Sequence, residues 1–401
     1  MEQGWLTKTF KGDRAIWGLV ALFMFYSLLA VYSSSVGVAF RRFDGNTTYF
    51  LRTQFIMLVI SLAIIVVVHY LPYRIYSSMA GLFLLVSVGL LILTFAFGSR
   101  INSATRWLNI FGISIQTSDI AKVALVLYLA RSLAKYQDQL DNFMVVIKYF
   151  LFPTSLICAL IMPENLSTAV MVFGICLIIM FIGRIPLKFL LTFVGVAVVG
   201  IVLIAVLLTF VTKSNRVQVW KNRIENYFSG KEDPDGDYQS NQAKIAISTG
   251  GLFGKMPGKS TQRNMLPQSN SDFIFAIIIE EYGLLFGAIP LILAYMILLF
   301  RGITIARKCE TAFPAFLVMG LCVMIVIQAM VNMLVAVGMF PVTGQTLPMV
   351  SWGRTSVIVM SFSFGAILSV SRVVNARVKN EELSADEVTD EGEKIYEPAK
   401  Q

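Results

Sequence analysis

Long apolar runs alternate with short polar links along this chain. Ten runs stand out, at about 14–36, 51–70, 77–97, 118–135, 148–163, 166–183, 187–211, 273–300, 311–338 and 354–374. Several reach the ~18 residues or more that let a helix cross a hydrocarbon core. Lipid cannot satisfy backbone N–H and C=O groups, so each run must close its own hydrogen bonds as a helix. The pattern predicts an all-α polytopic membrane protein of about ten transmembrane helices. The fifth and sixth runs meet at Met162-Pro163-Glu164-Asn165, a polar corner between two short spans. One polar stretch is long: 212–272, before the eighth run. It holds an amphipathic segment from Val217 to Ile224, a turn cluster from Glu232 to Asp237, a helical stretch near Asn241 to Ser248, and Gly250-Gly251-Leu252-Phe253-Gly254. A large structured loop is expected there.

Composition agrees: 56% of residues are hydrophobic and 14% charged, which excludes a soluble globule. The first fourteen residues are polar and the first run is long enough to be a true span, so no cleavable leader is read. Net charge is +9, but the last 22 residues carry −6, leaving +15 on the rest. Lys8, Lys11, Arg14, Arg74, Arg131, Lys135, Lys148, Arg184, Lys188, Arg301, Arg307, Lys308, Arg372, Arg377 and Lys379 fall on one side of the ten-span reading, and that side is cytoplasmic. Arg41, Arg42 and Arg52 run against the rule. Both termini are then inside, and loops 98–117, 212–272 and 339–353 outside. The domain reading is a cytoplasmic 1–13, a membrane domain 14–378, and an acidic tail 379–401 expected to be disordered. The basic excess suits lipid headgroups or a phosphorylated substrate; it is spread over short loops, which argues against nucleic acid. Cys158, Cys176, Cys309 and Cys322 lack paired spacing and read as core, and the one histidine, His69, reads as interfacial. No internal repeat supports a transporter of inverted-repeat design.

Asp272 stands between the long loop and the apolar run Phe273 to Ile279, and Glu280 and Glu281 follow inside that run. Carboxylates inside a span cost about 2.5–3.5 kcal/mol each and usually mark function. Asp272 reads either as a helix N-cap or as a general base. Eight residues at about 100° put Glu280 about 80° from Asp272, and nine put Glu281 on the opposite face. Glu280 is thus the expected companion of Asp272, and Glu281 the expected partner of another helix. A second constellation runs Arg106-Trp107 to Gln116-Thr117-Ser118-Asp119 and Lys122. Thr117 or Ser118 is the expected N-cap, and Asp119 and Lys122, three apart, can pair as a structural ion pair or present a cation to a diphosphate. The glycines of 250–254 read as a turn that lets the loop lie close to the membrane surface, or as a phosphate cradle. Phe340 to Gly353, rich in Pro and Gly, reads as irregular backbone lining a cavity.

Together these strings resemble the SEDS (shape, elongation, division and sporulation) family of polytopic peptidoglycan glycosyltransferases, over about residues 14–378. The match is carried by Leu266-Pro267 with Asp272-Phe273-Ile274-Phe275-Ala276 and Glu280-Glu281, by Tyr238-Gln239 with Gln242, by the 250–254 glycines, and by Pro341-Val342-Thr343-Gly344 with Leu347-Pro348. The run Gln262 to Pro267 is nearer the division branch than the elongation branch. Departures fall at Gln116-Thr117-Ser118-Asp119, where the family has Pro and Glu, at Pro163-Glu164-Asn165, where its acid falls on Asn165 ungapped or on Glu164 with a one-residue gap, at Gln268, where it has Glu, and at Gly353-Arg354, which adds a cation.

The resemblance implies ten spans and polymerisation of lipid II into β-1,4 glycan strands at the septum. The donor is a glycan on undecaprenyl diphosphate. Asp272 is the implied general base, with inversion at the donor MurNAc C1. Arg106, Trp107, Gln116, Ser118, Asp119, Lys122, Arg223, Tyr238, Gln239, Gln242, Ser260, Arg263, Glu280 and Glu281 are implied as substrate-binding or supporting. No metal ligand is assigned, although a divalent cation (Mg or Mn) is compatible with the chemistry. A class B penicillin-binding protein and other divisome membrane proteins are the implied partners, in the bacterial cytoplasmic (inner) membrane. Gly283, Gly287, Ala288, Gly320 and Ala329 are the small residues expected to pack a partner helix. The rival readings are a lipid II flippase and a non-catalytic scaffold.

Overall fold

The structure, a computed structural model, describes residues 11–36, 39, 47–101, 104–110, 113–211, 236–266 and 268–395. The helices are α1 (Arg14–Ser34), α2 (Thr47–Tyr70), α3 (Tyr73–Phe97), α4 (Thr117–Lys135), α5 (Phe143–Ile161), α6 (Leu166–Ile182), α7 (Leu187–Val211), α8 (Gly236–Gly250), α9 (Ile274–Arg307), α10 (Ala312–Ala336) and α11 (Arg354–Ile395). Among the described residues, seven are long and apolar enough to cross a membrane: α1, α2, α3, α5, α9, α10 and Arg354–Val378 of α11. Helix α6 and Leu187–Gly200 of α7 are apolar but shorter.

Helix α4 carries two charged side chains in its first turns and is nonetheless mostly buried. Ala121, Leu125, Leu129, Ala130 and Leu133 are fully buried against α3, α6 and α10. A helix with Asp119 and Lys122 in its first two turns survives there because its neighbours supply polar partners. Helix α2 lies along α11, and the hydroxyls of Ser61 and Ser361 meet in the seam. Small residues close this seam and that between α10 and α4: a Cβ on Gly365 would press on Val68, and one on Gly320 would press on Val126.

That use of small residues corrects one expectation. Gly320 and Ala329 are spent on packing inside the chain, Gly283 is covered by the chain's own loop at Leu252 and Gly254, and a Cβ on Gly287 would sit 3.0 Å from the Ile278 carbonyl. They do not form one small-residue face for a partner helix. Helices in lipid associate by close packing, and these glycines are already packed.

The fold is not wholly helical. Three short strands, β1 (Ser99–Ile101), β2 (Ala104–Ile110) and β3 (Ile113–Gln116), form an antiparallel sheet in the link between α3 and α4. The register pairs Trp107 with Gln116, Leu108 with Ile115 and Asn109 with Ser114. Strand β3 runs straight into α4, so the sheet fixes where that helix begins. The N-cap position falls on Gln116, without a side-chain cap bond, and not on Thr117 or Ser118. Thr117 instead meets the Thr94 hydroxyl at 2.9 Å.

At the other end of the bundle, Asp13 caps α1 through the amides of Ala15 and Ile16 and takes Arg301 of α9, whose Nε lies 2.8 Å away. His69 is buried between Trp17 and Tyr70, where an interfacial position was expected. Helix α11 continues to Ile395, through the acidic segment expected to be disordered from 379. A span already nucleated propagates through good helix formers such as Glu, Ala and Leu at little cost.

Candidate functional site

Asp272 lies just before α9, whose first residue is Ile274 and whose N-cap position is Phe273. It is therefore not the helix cap, and because it lies outside the helix the angular argument for Glu280 does not apply. The preceding residues are held one by one. Ser269 Oγ donates to the Ser34 carbonyl at 3.0 Å, the Trp352 amide to Asn270 at 2.9 Å, Ser351 Oγ to Ser271 at 2.7 Å, and Asn332 Nδ2 to Asp272 at 2.9 Å. Four successive residues are thus tied to α1, to segment 340–353 and to α10. The Asp272 side chain is half-exposed. A turn with Met349 in the left-handed region (φ 63) brings Ser351 and Trp352 back to the segment before Asp272. Such backbone is uncommon outside glycine and is held only where its surroundings dictate it.

Behind this turn lies a buried polar cluster. Asp119, Lys122, Thr168, Gln328, Asn332 and Gln345 are each no more than 2% exposed. Lys122 Nζ is 2.8 Å from Asp119 Oδ1, donates to Gln328 Oε1 at 2.8 Å, and donates to Gln345 Oε1 at 3.3 Å. An ammonium has three protons, and here each has an acceptor. The expected pair is present, but Lys122 presents no unused donor to a diphosphate. Gln345 Nε2 donates to Thr168 Oγ1 at 2.6 Å, and its carbonyl accepts from Asn332 Nδ2 at 2.7 Å. Gln328, Asn332 and Gln345 escaped the sequence reading. The signal was there: two amides four apart on an otherwise apolar span share one helix face.

Glu280 and Glu281 serve the loop, not Asp272. Glu280 accepts from Lys255 Nζ at 2.8 Å, from the Thr261 amide at 3.1 Å, from Thr261 Oγ1 at 2.9 Å, from the Gln262 amide at 3.2 Å, and from Ser260 Oγ. Glu281 accepts from Ser33 Oγ of α1 and from the Ser260 amide at 3.4 Å, with Arg263 Nη1 at 3.9 Å. Arg263 also donates to Ser33 Oγ at 3.0 Å. Helix α9 is broken beside them at Gly283 (φ 73), and residues Leu284–Ala288 form a π segment. The backbone groups freed by the break bond to the loop. The Lys255 and Met256 amides donate to Glu280 and Glu281 carbonyls at 2.9 and 3.0 Å, and the Leu284 and Leu285 amides donate to Gly251 and Leu252 at 3.0 Å. A Cβ on Gly250, Gly254 or Gly283 would overlap the facing backbone. The 250–254 glycines therefore allow a close approach, but to the α9 backbone and not to the membrane surface as expected.

The remaining residues are dispersed. Trp107 is half-buried in β2, opposite Gln116, whose amide donates to Thr355 Oγ1 at 3.4 Å and whose Nε2 donates to Ser118 Oγ at 3.3 Å. Arg106 lies beside Trp107 in β2. Tyr238, Gln239 and Gln242 sit on the first half of α8, which packs on the start of α9, and Tyr238 is exposed. Asn165 caps α6 by accepting from the Thr168 amide at 3.2 Å. Glu164 lines a small cleft with Thr94, Thr117, Ser118 and Asn165. Arg223 lies outside the described residues. Among the described residues no three His, Cys, Asp or Glu side chains come together as a metal site.

The family model for cell cycle proteins of the FtsW, RodA and SpoVE type matches residues 13–376. The chain belongs to this family. Among curated relatives, it is 32% identical over 369 residues to the probable peptidoglycan glycosyltransferase FtsW of Bacillus subtilis, covering 88% of this chain and 89% of that one. It is 33% identical to the stage V sporulation protein E of the same organism, over 91% and 98% of the two chains. It is 30% identical to the peptidoglycan glycosyltransferase MrdB of Escherichia coli K12, over 88% and 91%. Its fold is similar to that of Thermus thermophilus RodA, with a TM-score of 0.64 at 23% identity over 92% and 98% of the two chains. A chain from a peptidoglycan synthase complex scores 0.69 at 24% identity over the same shares. The FtsW, RodA and SpoVE family thus spans almost the whole bundle, from the α1 cap at Asp13 to the middle of α11.

Proposed function

We propose that this chain is a peptidoglycan glycosyltransferase that polymerises lipid II into β-1,4 glycan strands. Its ten helices other than α8 cross the bacterial cytoplasmic membrane with both termini inside, and the Asp272 end of the bundle faces out. The observation that carries the reading is the Asp272 turn: a half-exposed carboxylate at a helix entrance, with residues 269–272 anchored by three other parts of the chain. The curated names of relatives matched along nearly the whole chain support the reaction class.

In this reading Asp272 takes the proton from the 4-hydroxyl of the acceptor GlcNAc as that oxygen attacks the donor MurNAc C1. The undecaprenyl diphosphate leaves from the opposite face, so α becomes β. One positioned base contributes about 10²–10⁴-fold, and holding two lipid-anchored substrates in line supplies the rest. Charge developing on the diphosphate calls for cations. Arg106 and Arg223 are the family-implied candidates, because Lys122 is enclosed and Arg263 is engaged with Ser33 and Glu281. The described carboxylates do not form a divalent site of their own, so no step is assigned to a metal.

Septal synthesis, with a class B penicillin-binding protein and other divisome proteins as partners, is the branch-level reading. It is supported by the FtsW relatives and by the Gln262 to Pro267 run. The deciding test reconstitutes the purified chain in vesicles with lipid II and no other polymerase, with and without that transpeptidase. Glycan polymer supports the enzyme. Headgroup translocation without polymer would make the chain a flippase, and neither activity would make it a scaffold.

A further inference from the structure

We propose that Lys122 acts on the reaction through Gln345 and Asn332, as a positioning residue for Asp272, and does not touch substrate. The proposal rests on the reading of Asp272 as the base. Three observations carry it. All three Lys122 protons are taken up inside the protein, by Asp119, Gln328 and Gln345, and the side chain is 1% exposed. Gln345 is held at both ends of its amide, by Lys122 at 3.3 Å and by Thr168 at 2.6 Å. One nitrogen, Asn332 Nδ2, then joins the Gln345 carbonyl (2.7 Å) to the Asp272 carbonyl (2.9 Å).

The chain of contacts therefore runs from α4 through segment 340–353 to α10, and ends on the backbone of the base. The links as far as Asn332 are buried, and the last, from Asn332 Nδ2 to the Asp272 carbonyl, is part-buried. The first α9 amides, of Ala276 and Ile277, go to the carbonyl of Phe273, so the carbonyl of Asp272, one residue earlier, lies off the helix ladder. Asn332 supplies it with a donor, and so sets where the Asp272 side chain starts. Its own Oδ1 is buried with no hydrogen-bond partner, a cost retained because the Nδ2 side is needed for two carbonyls. A misplacement of about 1 Å at the reacting groups can lower the rate by about 10²-fold without altering ground-state binding.

The test is steady-state polymerisation of lipid II by the purified full-length chain in lipid, together with a readout of position that involves no chemistry. Asn332→Ala, Gln345→Leu and the double Asp119→Asn/Lys122→Met are each expected to lose about 10²-fold in kcat. KM for lipid II should stay within about twofold. Gln345→Glu is expected to recover most of the activity, because a carboxylate can accept from Lys122 and from the Thr168 hydroxyl. The rate at which a membrane-impermeant maleimide labels Asp272→Cys, followed at that site by mass spectrometry, should change several-fold when Asn332→Ala is added. A raised KM at unchanged kcat in Gln345→Leu or the double variant would place Lys122 on substrate and overturn the proposal. An unchanged labelling rate in the Asn332→Ala background would overturn it as well. Wild-type synthesis by Asp272→Asn would remove the base assignment instead, and the labelling would still decide whether the network positions residue 272.

Discussion

Asn332 Nδ2 lies 2.9 Å from the carbonyl oxygen of Asp272 and 2.7 Å from that of Gln345, and so fastens the entrance of α9 to segment 340–353. Asn332→Leu keeps the bulk of the side chain and leaves a buried carbonyl, of Gln345, and a part-buried one, of Asp272, without this donor. Each orphaned group costs about 1–3 kcal/mol. We expect a lower Tm in detergent for Asn332→Leu than for Asn332→Ala, where a water can enter the vacated space. Equal Tm values would mean that the two carbonyls find other donors.

The Asp119–Lys122 pair, 2.8 Å apart and buried, predicts a non-additive pattern. Removing one partner of a buried pair costs about 3–5 kcal/mol, because it strands a charge. Lys122→Met alone should destabilise more than the double Asp119→Asn/Lys122→Met. Thermal unfolding in detergent checks it, and additive losses in the double variant would reject the pair.

The glycines at the α9 break make a graded prediction. Gly251, Gly254 and Gly283 all have positive φ, but only Gly254 and Gly283 face backbone that a Cβ would overlap. Gly251→Ala should cost only the conformational strain, about 1 kcal/mol or somewhat more. Gly254→Ala and Gly283→Ala should lose more and expose the loop between 251 and 266 to limited proteolysis. Equal sensitivity in all three variants would mean that the loop is not docked at this distance.

Glu280 holds the loop through Lys255, Ser260, Thr261 and Gln262. Glu280→Ala should therefore speed hydrogen exchange at the Thr261 and Gln262 amides by an order of magnitude or more, since bonds to a charged acceptor contribute about 1.5–3 kcal/mol. Glu281→Ala should act at the Ser260 amide and leave Thr261 protected. Slow exchange at Thr261 in Glu280→Ala would show that another group holds the loop.

The helices were legible because burial in lipid demands long apolar runs, and their observed bounds follow those runs within several residues, except at α11, which continues past its run to Ile395. The Asp119–Lys122 pair was legible from spacing alone. The sheet at 99–116 was not, since three strands of seven residues or fewer in a polar link carry little period. Glu280 was misassigned to the Asp272 side because helix angles say nothing about a residue outside the helix, whereas Glu281 does reach another helix, at Ser33 of α1. Their true partners, Lys255, Ser260 and Ser33, are 20 or more residues away in sequence. Asn332 and Gln345 show the same limit: a side chain's identity is in the sequence, but which carbonyl it holds is decided by tertiary packing.

One measurement bears most directly on the central claim, that Asp272 is the base of a lipid II polymerase. Asp272→Asn is nearly isosteric, leaves the backbone carbonyl free to accept from Asn332, and removes the proton acceptor. In reconstituted vesicles with lipid II as the only substrate, the purified variant should be folded, with a Tm close to wild type, and its rate of glycan synthesis should fall by at least about 10²-fold. Glycan strands made at the wild-type rate by a folded Asp272→Asn protein would contradict the account.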